Sequence, residues 1–418
     1  MSSFSIALSG LTASNSDLDV TANNIANANT VGFKGSRAEF ADVYAAGAVN
    51  LNTSSIGEGV RLDDTAQQFT QGNITTTGSN LDLAISGDGF FTLADPTNGT
   101  VYTRNGEFQE DKNGNVVTAT GAALQVYPPV ATGGFNTGAL TDLNLQTAQS
   151  APAATSSGAS ILNLPADSTT PIDGANAAPG GTFDPTDPES YNESTSTTVY
   201  DSLGNAYPAT FYFTQSATTG TWDVNMTVNG AVAGPTQTLQ FTSAGAVTGA
   251  NAGKLSWPNF APTDGATSPQ AMTFDFSQST QYGGSFGVTA ITQNGFATGQ
   301  LSTVAIDNTG VVSAVYTNGR STQLGQLAMA NFPDPQGLKQ LGDTNWAETF
   351  TSGTAVSGTA GTAGFGTIQA GALESSNVDL TTELVNMITA QRAFQANAQV
   401  ITTANQLAQT VININGAA

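Results

Sequence analysis

The two ends of this 418-residue chain carry the same apolar pattern, and that pattern limits the possible folds more than anything between them. From Phe4 a stripe runs through Leu8, Leu11, Asn15, Leu18, Ala22 and Ile25. A second runs through Leu380, Leu384, Met387, Gln391, Phe394, Ala398, Ile401, Asn405, Ala408 and Ile412. Steps alternating between three and four residues put each set on one helix face and mark the seam of a coiled coil. Neither segment has an interior proline, and Asn377 with Asp379 supplies a start signal for the second helix. The faces away from the stripes are unusual. No charge occurs before Asp17 and none after Arg392; Asn23, Asn24, Asn27, Gln395 and Asn397 stand where exposed helices normally carry charge. Small and amide side chains suit close, hydrogen-bonded helix contacts on several sides. A thin apolar stripe does not hold a helix folded by itself, because most helical stability in proteins comes from packing. These ends are therefore expected to order against neighbouring copies. A solvated intramolecular hairpin is the plainer alternative.

Only 10% of the residues are charged, 31 acidic against 9 basic, for a formal charge of −22. So acidic a surface repels phosphate backbones and anionic headgroups, so neither nucleic acid nor membrane is expected as a partner. The chain has no cysteine and no histidine. Thiolate chemistry, disulfides, the commonest general base and the commonest transition-metal ligand are all excluded. Catalysis by paired carboxylates survives that filter. The first residues lack the basic and apolar regions of a secretory signal, and no apolar run reaches the ~18 residues of a membrane span.

Between Glu58 and Phe365 the periodicity changes. Leu81–Ile85 alternates as a strand, and Asn105-Gly106 and Asn113-Gly114-Asn115 read as hairpin turns. Residues 148–190 and Ser352–Gly366, rich in Gly, Ala, Ser and Thr, read as linkers or connectors. Strand signals return at Thr198–Tyr200, Thr210–Thr214, Trp222–Val228 and Leu239–Thr242, and again from Val288 to Phe332. The expected fold class is α+β multidomain: paired N- and C-terminal coiled-coil helices forming an inner tube domain, with two mostly antiparallel β domains inserted between them. The expected domains are a terminal core of 1–75 and 365–418, a discontinuous first β domain of 76–147 and 285–364, and an outer β domain of 148–284.

The run Ala22-Asn23-Asn24-Ile25-Ala26-Asn27 through Gly32-Phe33-Lys34-Gly35-Ser36-Arg37 resembles the N-terminal signature of the flagellar rod and hook axial proteins. Leu373-Glu374-Ser375-Ser376-Asn377-Val378-Asp379-Leu380, continuing through Gln391-Arg392-Ala393-Phe394, resembles their C-terminal signature. Thr182-Phe183-Asp184-Pro185, Val199-Tyr200-Asp201-Ser202-Leu203-Gly204-Asn205 and Ala330–Leu338 are similar to hook members rather than the shorter rod members. The resemblance implies a curved, flexible tube of helically arranged copies that encloses an export channel and transmits torque from rod to filament. It also implies rod, hook-cap and hook–filament junction proteins as partners, a flagellar type III export apparatus as the route out, an extracellular location, no cofactor, and connectors at Ser352–Gly366 and Asn50–Ile56 that let domains shift.

The residues expected at the polymer interface are Phe4, Leu8, Leu11, Leu18, Asn24, Ile25, Asn27, Leu380, Leu384, Met387, Arg392, Phe394, Ile401 and Ile412. Arg392 should meet an acid or a backbone carbonyl near the base of the helix pair. Lys34 and Arg37 either pair across subunits with acids such as Glu39 or Asp379 or stay solvated. Asp111–Asn115 opens like a calcium loop, but Val116 and Ala122 stand where such a loop needs its glycine and its bidentate glutamate, so a hairpin turn is expected. Neighbouring Asp63 and Asp64 would point to opposite faces of a strand and cannot share a substrate. Neither Gly87-Asp88-Gly89 nor Ser352–Gly366 has the context of a nucleotide-binding loop. No catalytic residue is assigned. A distal rod or junction protein is the alternative within the family, and a secreted β-rich adhesin outside it.

Overall fold

The computed structural model describes residues 2–43, 57–145, 149–171 and 183–415, with side chains from residue 4 to residue 410. The chain is mostly β, with one long helix near each end: α1, Ser2–Ala26, and α2, Leu380–Asn415. It divides into two compact units. The first comprises Met1–Gln146, Thr303–Ala314 and Ser321–Ala418, and the second Thr147–Ser302 and Val315–Arg320.

In the first unit the central strand Ala123–Tyr127 pairs with Phe90–Asp95 on one side and Ser321–Leu327 on the other. Phe90–Asp95 continues into Gly99–Thr103, which in turn pairs with Asn345–Ala347. Leu83, Ile85, Phe91, Leu93, Leu124, Val126, Leu327 and Met329 fill the core. A smaller aromatic cluster joins Phe90, Tyr102, Phe332 and Trp346, with Tyr102 and Phe332 edge-to-face at 4.9 Å. Two short antiparallel pairs tie the returning chain to the outgoing one: Leu83–Ser86 with Thr367–Ala370, and Ile74–Thr76 with Ala372–Glu374. Gly106 sits where a Cβ would lie 1.6 Å from the Leu83 carbonyl oxygen, so the backbone crossing there admits glycine alone.

The second unit is built from two sheets. Glu193–Tyr200, Ala206–Gln215, Thr221–Val228 and Gln237–Phe241 form an antiparallel meander. The other sheet carries Lys254–Phe260, Gln270–Asp275, Ser157–Pro165, Thr280–Tyr282 and Gly287–Gln293. Both contribute to one core, in which Phe211 meets Phe274 at 4.8 Å and Trp257 at 5.5 Å. Period-two burial along Ala206–Gln215 is what a strand with one dry face requires.

Two segments depart from the sequence expectation. Residues 148–190 are not only linker, because Ser157–Pro165 lies inside a sheet, parallel to Gln270–Asp275 and Thr280–Tyr282 and antiparallel to Gly287–Gln293. Ser160, Leu162 and Leu164 are buried there. Ser352–Gly366 is not a free connector either. Val356–Gly358 pairs with Met329–Asn331, Ser352 is fully buried, and Phe365 packs on the core. Asn50–Ile56 falls outside the described residues.

Of the two expected hairpin turns, Asn113-Gly114-Asn115 joins the paired strands Gln109–Glu110 and Val116–Val117, whereas Asn105-Gly106 joins strands that do not pair with each other; the chemistry of the first recurs. Asp111 Oδ1 accepts from the backbone N–H of Asn113 and Asn115, both at 2.8 Å. Asp201 does the same for Leu203 and Asn205, and Asp307 for Thr309 and Val311. Each loop has glycine at its fourth position with positive φ, at Gly114, Gly204 and Gly310. These carboxylates are occupied by turn backbone, which holds the Asp111 carboxyl below its ordinary range.

Candidate assembly surface on the terminal helices

α1 and α2 pack antiparallel: Gly10 faces Asn397 and Asn24 faces Glu383. The α1 face turned to α2 is a run of small and polar residues, Ala7, Gly10, Ser14, Asp17, Thr21 and Asn24, stepping three and four. Ala7, Ser14, Thr21 and Asn24 are buried, and a Cβ at Gly10 would lie 2.9 Å from the Asn397 amide. α2 answers with Glu383, Met387, Ala390, Phe394, Asn397, Ile401 and Ala404, of which Ala390 is buried and the others half-buried. Small side chains on one helix let the two backbones approach closely.

The apolar stripe of α1 is therefore one residue out of register with the face that α2 covers. Phe4 and Leu8 are 42% and 48% exposed, and Leu380 and Leu384 are 45% and 50% exposed. Leu11, Leu18, Ile25, Met387, Phe394 and Ile401 are half-buried. Val385, Ile388, Val400 and Leu407, outside the stripe read from sequence, are exposed as well. Ile412 lies on the last turns of α2, where side chains are not among those described. Arg392 is exposed and, among the described residues, makes neither an ion pair nor a hydrogen bond; the expected acid or carbonyl does not come from this subunit's described residues.

Asn24 is spent inside the subunit. Its Nδ2 donates to the Ser36 carbonyl at 2.7 Å, its Oδ1 accepts from the Ser36 N–H at 2.8 Å, and Glu383 lies 3.3 Å away. Asn27 is half-buried and closes the end of α1, donating to the Asn23 carbonyl at 3.0 Å. Beyond it the two signatures meet around one buried acid. Lys34 Nζ donates to Glu374 Oε1 at 2.6 Å and to the Thr70 carbonyl at 2.8 Å. Arg104 donates to Glu374 Oε2 at 3.3 Å and lies 5.3 Å from the centroid of the Phe90 ring. The Gly72 N–H adds a third donor to the carboxylate at 2.8 Å. Burial pushes the Lys34 and Arg104 cations below their ordinary values, and Glu374 works against that for both. Lys34 thus pairs within its own chain and is not solvated. Arg37 pairs locally with Glu39 at 2.7 Å, both partly exposed.

Asn377 and Asp379 divide the start of α2 between them. Asp379 is the cap, accepting from the Thr382 N–H at 2.8 Å. Asn377 instead ties together the segments that flank the strand pair, accepting from Gly35 N–H and donating to the carbonyls of Gln68 and Thr70. The hairpin Ser36–Asp42/Val60–Gln67 lies against α1, where Ser9 Oγ accepts from the Val60 N–H at 3.2 Å. Among the described residues no group of three acidic side chains is placed to hold a metal ion, and no helix is long and apolar enough to cross a membrane.

Two helical end signatures clamped together, with β units inserted between them, define an axial protein of the flagellar basal body and hook. Family models agree along the chain. Residues 4–34 match the flagella basal body rod protein, 84–162 the flagellar hook protein FlgE/F/G D1 domain, 163–296 the flagellar basal body protein FlaE D2 domain, and 369–414 the flagellar basal body rod FlgEFG protein C-terminal region. The flagellar hook protein FlgE of Escherichia coli is 38% identical over 98% of this chain and 99% of its own length. That of Rhizobium meliloti is 34% identical over 97% of each, and that of Borreliella burgdorferi 32% over 99% of each. The chain belongs to the flagellar hook protein family. The crystal structure of Helicobacter pylori flagellar hook protein FlgE2 shares the fold, with a TM-score of 0.51 at 14% identity over 72% of this chain and all of that one.

Proposed function

We propose that this hook subunit polymerises through the outward faces of α1 and α2 into a curved, flexible tube. The tube transmits torque from rod to filament and encloses the export channel, with the helices innermost. The observation that carries the reading is the exposure of Phe4, Leu8, Leu380, Leu384, Val385 and Ile388 on helices almost without charge. In a lone subunit this apolar area stays wet, and in a tube each helix gains neighbours on its remaining sides. Arg392 then finds its acid or carbonyl on another copy. The role is structural rather than enzymatic, the location is outside the cell, and the end-to-end partners are rod, cap and junction proteins reached through the type III export apparatus. The three-body division into terminal core, first β domain and second β domain belongs to the same reading.

Electron microscopy of flagellar bases labelled against this chain tests it. Label along a short curved segment is expected. Label confined to a straight base or a single junction disc would assign the chain to rod or junction instead.

A further inference from the structure

Phe350 is fully exposed, at 104% of its reference area, yet the turn that carries it is tied on both sides. Thr349 Oγ1 accepts from the N–H groups of Thr351 and Ser352 and donates to the Gly337 carbonyl. Ser352 Oγ accepts from Thr349 N–H at 2.9 Å and donates back to the Thr349 carbonyl at 3.0 Å. Ser352 is wholly buried, and its backbone passes so close to Gly337 that a Cβ there would lie 2.4 Å from the Ser352 nitrogen. The ring is thus held out in water on a fixed stem, so little backbone freedom remains to be lost when something covers it. Fixed, solvent-facing aromatic side chains are the usual anchors of protein interfaces.

From Thr349 to Leu373 the sequence has no charged residue, in a chain whose formal charge is −22. Two copies repel over most of their surface, and an uncharged stretch is where they can meet without burying like charges. A complementary hollow lies elsewhere on the same unit. Leu8, Thr12 and Ala13 of α1 and Val60 and Leu62 of the adjacent strand line an apolar depression of about 390 Å³. Its one cation, Arg61, is already paired with Asp63 at 2.8 Å. An apolar cavity of about 150 Å³ accepts a benzene ring, so there is room for a phenylalanine side chain. Another apolar hollow, of about 370 Å³ along Val400, Ala404 and Leu407, is walled by a single helix and grips less.

We infer that Phe350 of one subunit seats in the Leu8–Leu62 hollow of a second copy of this chain. A knob and a hole on different parts of one chain make a heterologous contact, which repeats from copy to copy without closing on itself. The inference rests on the polymer reading and adds to it a contact from a β-unit side chain onto the Leu8 edge of the same helix face.

The test uses the full chain. Phe350→Ala should raise the critical concentration for polymerisation about tenfold or more, with an unchanged monomer melting temperature, and Phe350→Leu should recover most of the loss. An Ala variant that polymerises at the wild-type concentration would overturn the contact. Because the chain has no cysteine, a mixture of Phe350→Cys and Leu62→Cys chains should oxidise to a mixed covalent dimer on assembly. Should either cysteine chain fail to polymerise, a benzophenone photo-crosslinker at position 350 gives the same reading. Adducts on residues 5–16 or 60–62 of another chain support the seat, and adducts elsewhere, or none in an intact polymer, refute it. Wild-type chain that never polymerises would defeat the hook reading itself. A wild-type polymer indifferent to position 350 would defeat only this inference.

Discussion

Glu374→Gln keeps the shape of the side chain and removes one charge from the junction between the two signatures. The carboxylate is fully buried and receives Lys34, Arg104 and the Gly72 N–H. Lys34 and Arg104 are themselves buried, so with glutamine Lys34 loses its counter-ion and Arg104 keeps only the Coulombic pull of Asp88. Removing one partner of a buried pair costs about 3–5 kcal/mol, against a total stability of about 5–15 kcal/mol for a typical domain. The variant should therefore lose about that much in a urea titration followed by the fluorescence of Trp346, which lies in the same unit. Because Glu374 also accepts Gly32 N–H on its backbone carbonyl, the loss should loosen the return of the chain from α1. Arg37→Ala, which breaks the partly exposed pair with Glu39, is the control and should cost no more than about 1 kcal/mol. If Glu374→Gln fell within that control range, the junction would not be electrostatic and the reasoning would fail.

Three further outcomes follow from the same geometry. Leu384→Asp should leave monomer stability within about 0.5 kcal/mol, since the side chain is half exposed, while abolishing polymerisation measured by sedimentation. Gly106→Ala should prevent the first unit from folding, read as lost soluble expression or lost near-ultraviolet dichroism, because the Leu83 carbonyl oxygen occupies the Cβ position. The Asp379 carboxyl is lowered by the Thr382 N–H that it caps, so its stabilisation of α2 is present above the ordinary value of 3.8 and is lost as pH falls through the lower folded value. Asp379→Asn should remove that part of the acid titration of stability, and an unchanged acid limb would count against the cap.

Much of the architecture is legible in the sequence, and the failures have physical causes. Both helices show in their three–four stepping, and the strands Ala206–Gln215 and Thr221–Val228 in aromatic and β-branched alternation. The intrachain seam of α1 does not show in the large apolar residues, because it consists of Ala7, Gly10, Ser14 and Thr21. These are the residues that allow close backbone approach. The signal was present as a second heptad, shifted by one. Ser157–Pro165 escaped because its first half is Ser, Gly and Ala, and its place between two neighbours in a sheet, not its composition, makes it a strand. The Lys34–Glu374–Arg104 cluster joins positions 340 and 270 residues apart, which no local pattern can encode. Asn24, expected at contacts between subunits from the amide-rich helix face and its place in the N-terminal signature, also makes contacts inside the subunit. Its partners, Ser36 and Glu383, became visible only once the chain had turned back on itself.

The most direct measurement is amide hydrogen exchange over residues 2–26 and 380–415, in dilute monomer and in assembled polymer. The account predicts fast exchange along both helices in the monomer and strong protection in the polymer. Helices already protected to the same degree in the monomer, with no change on assembly, would contradict the claim that their outward faces are completed by neighbouring copies.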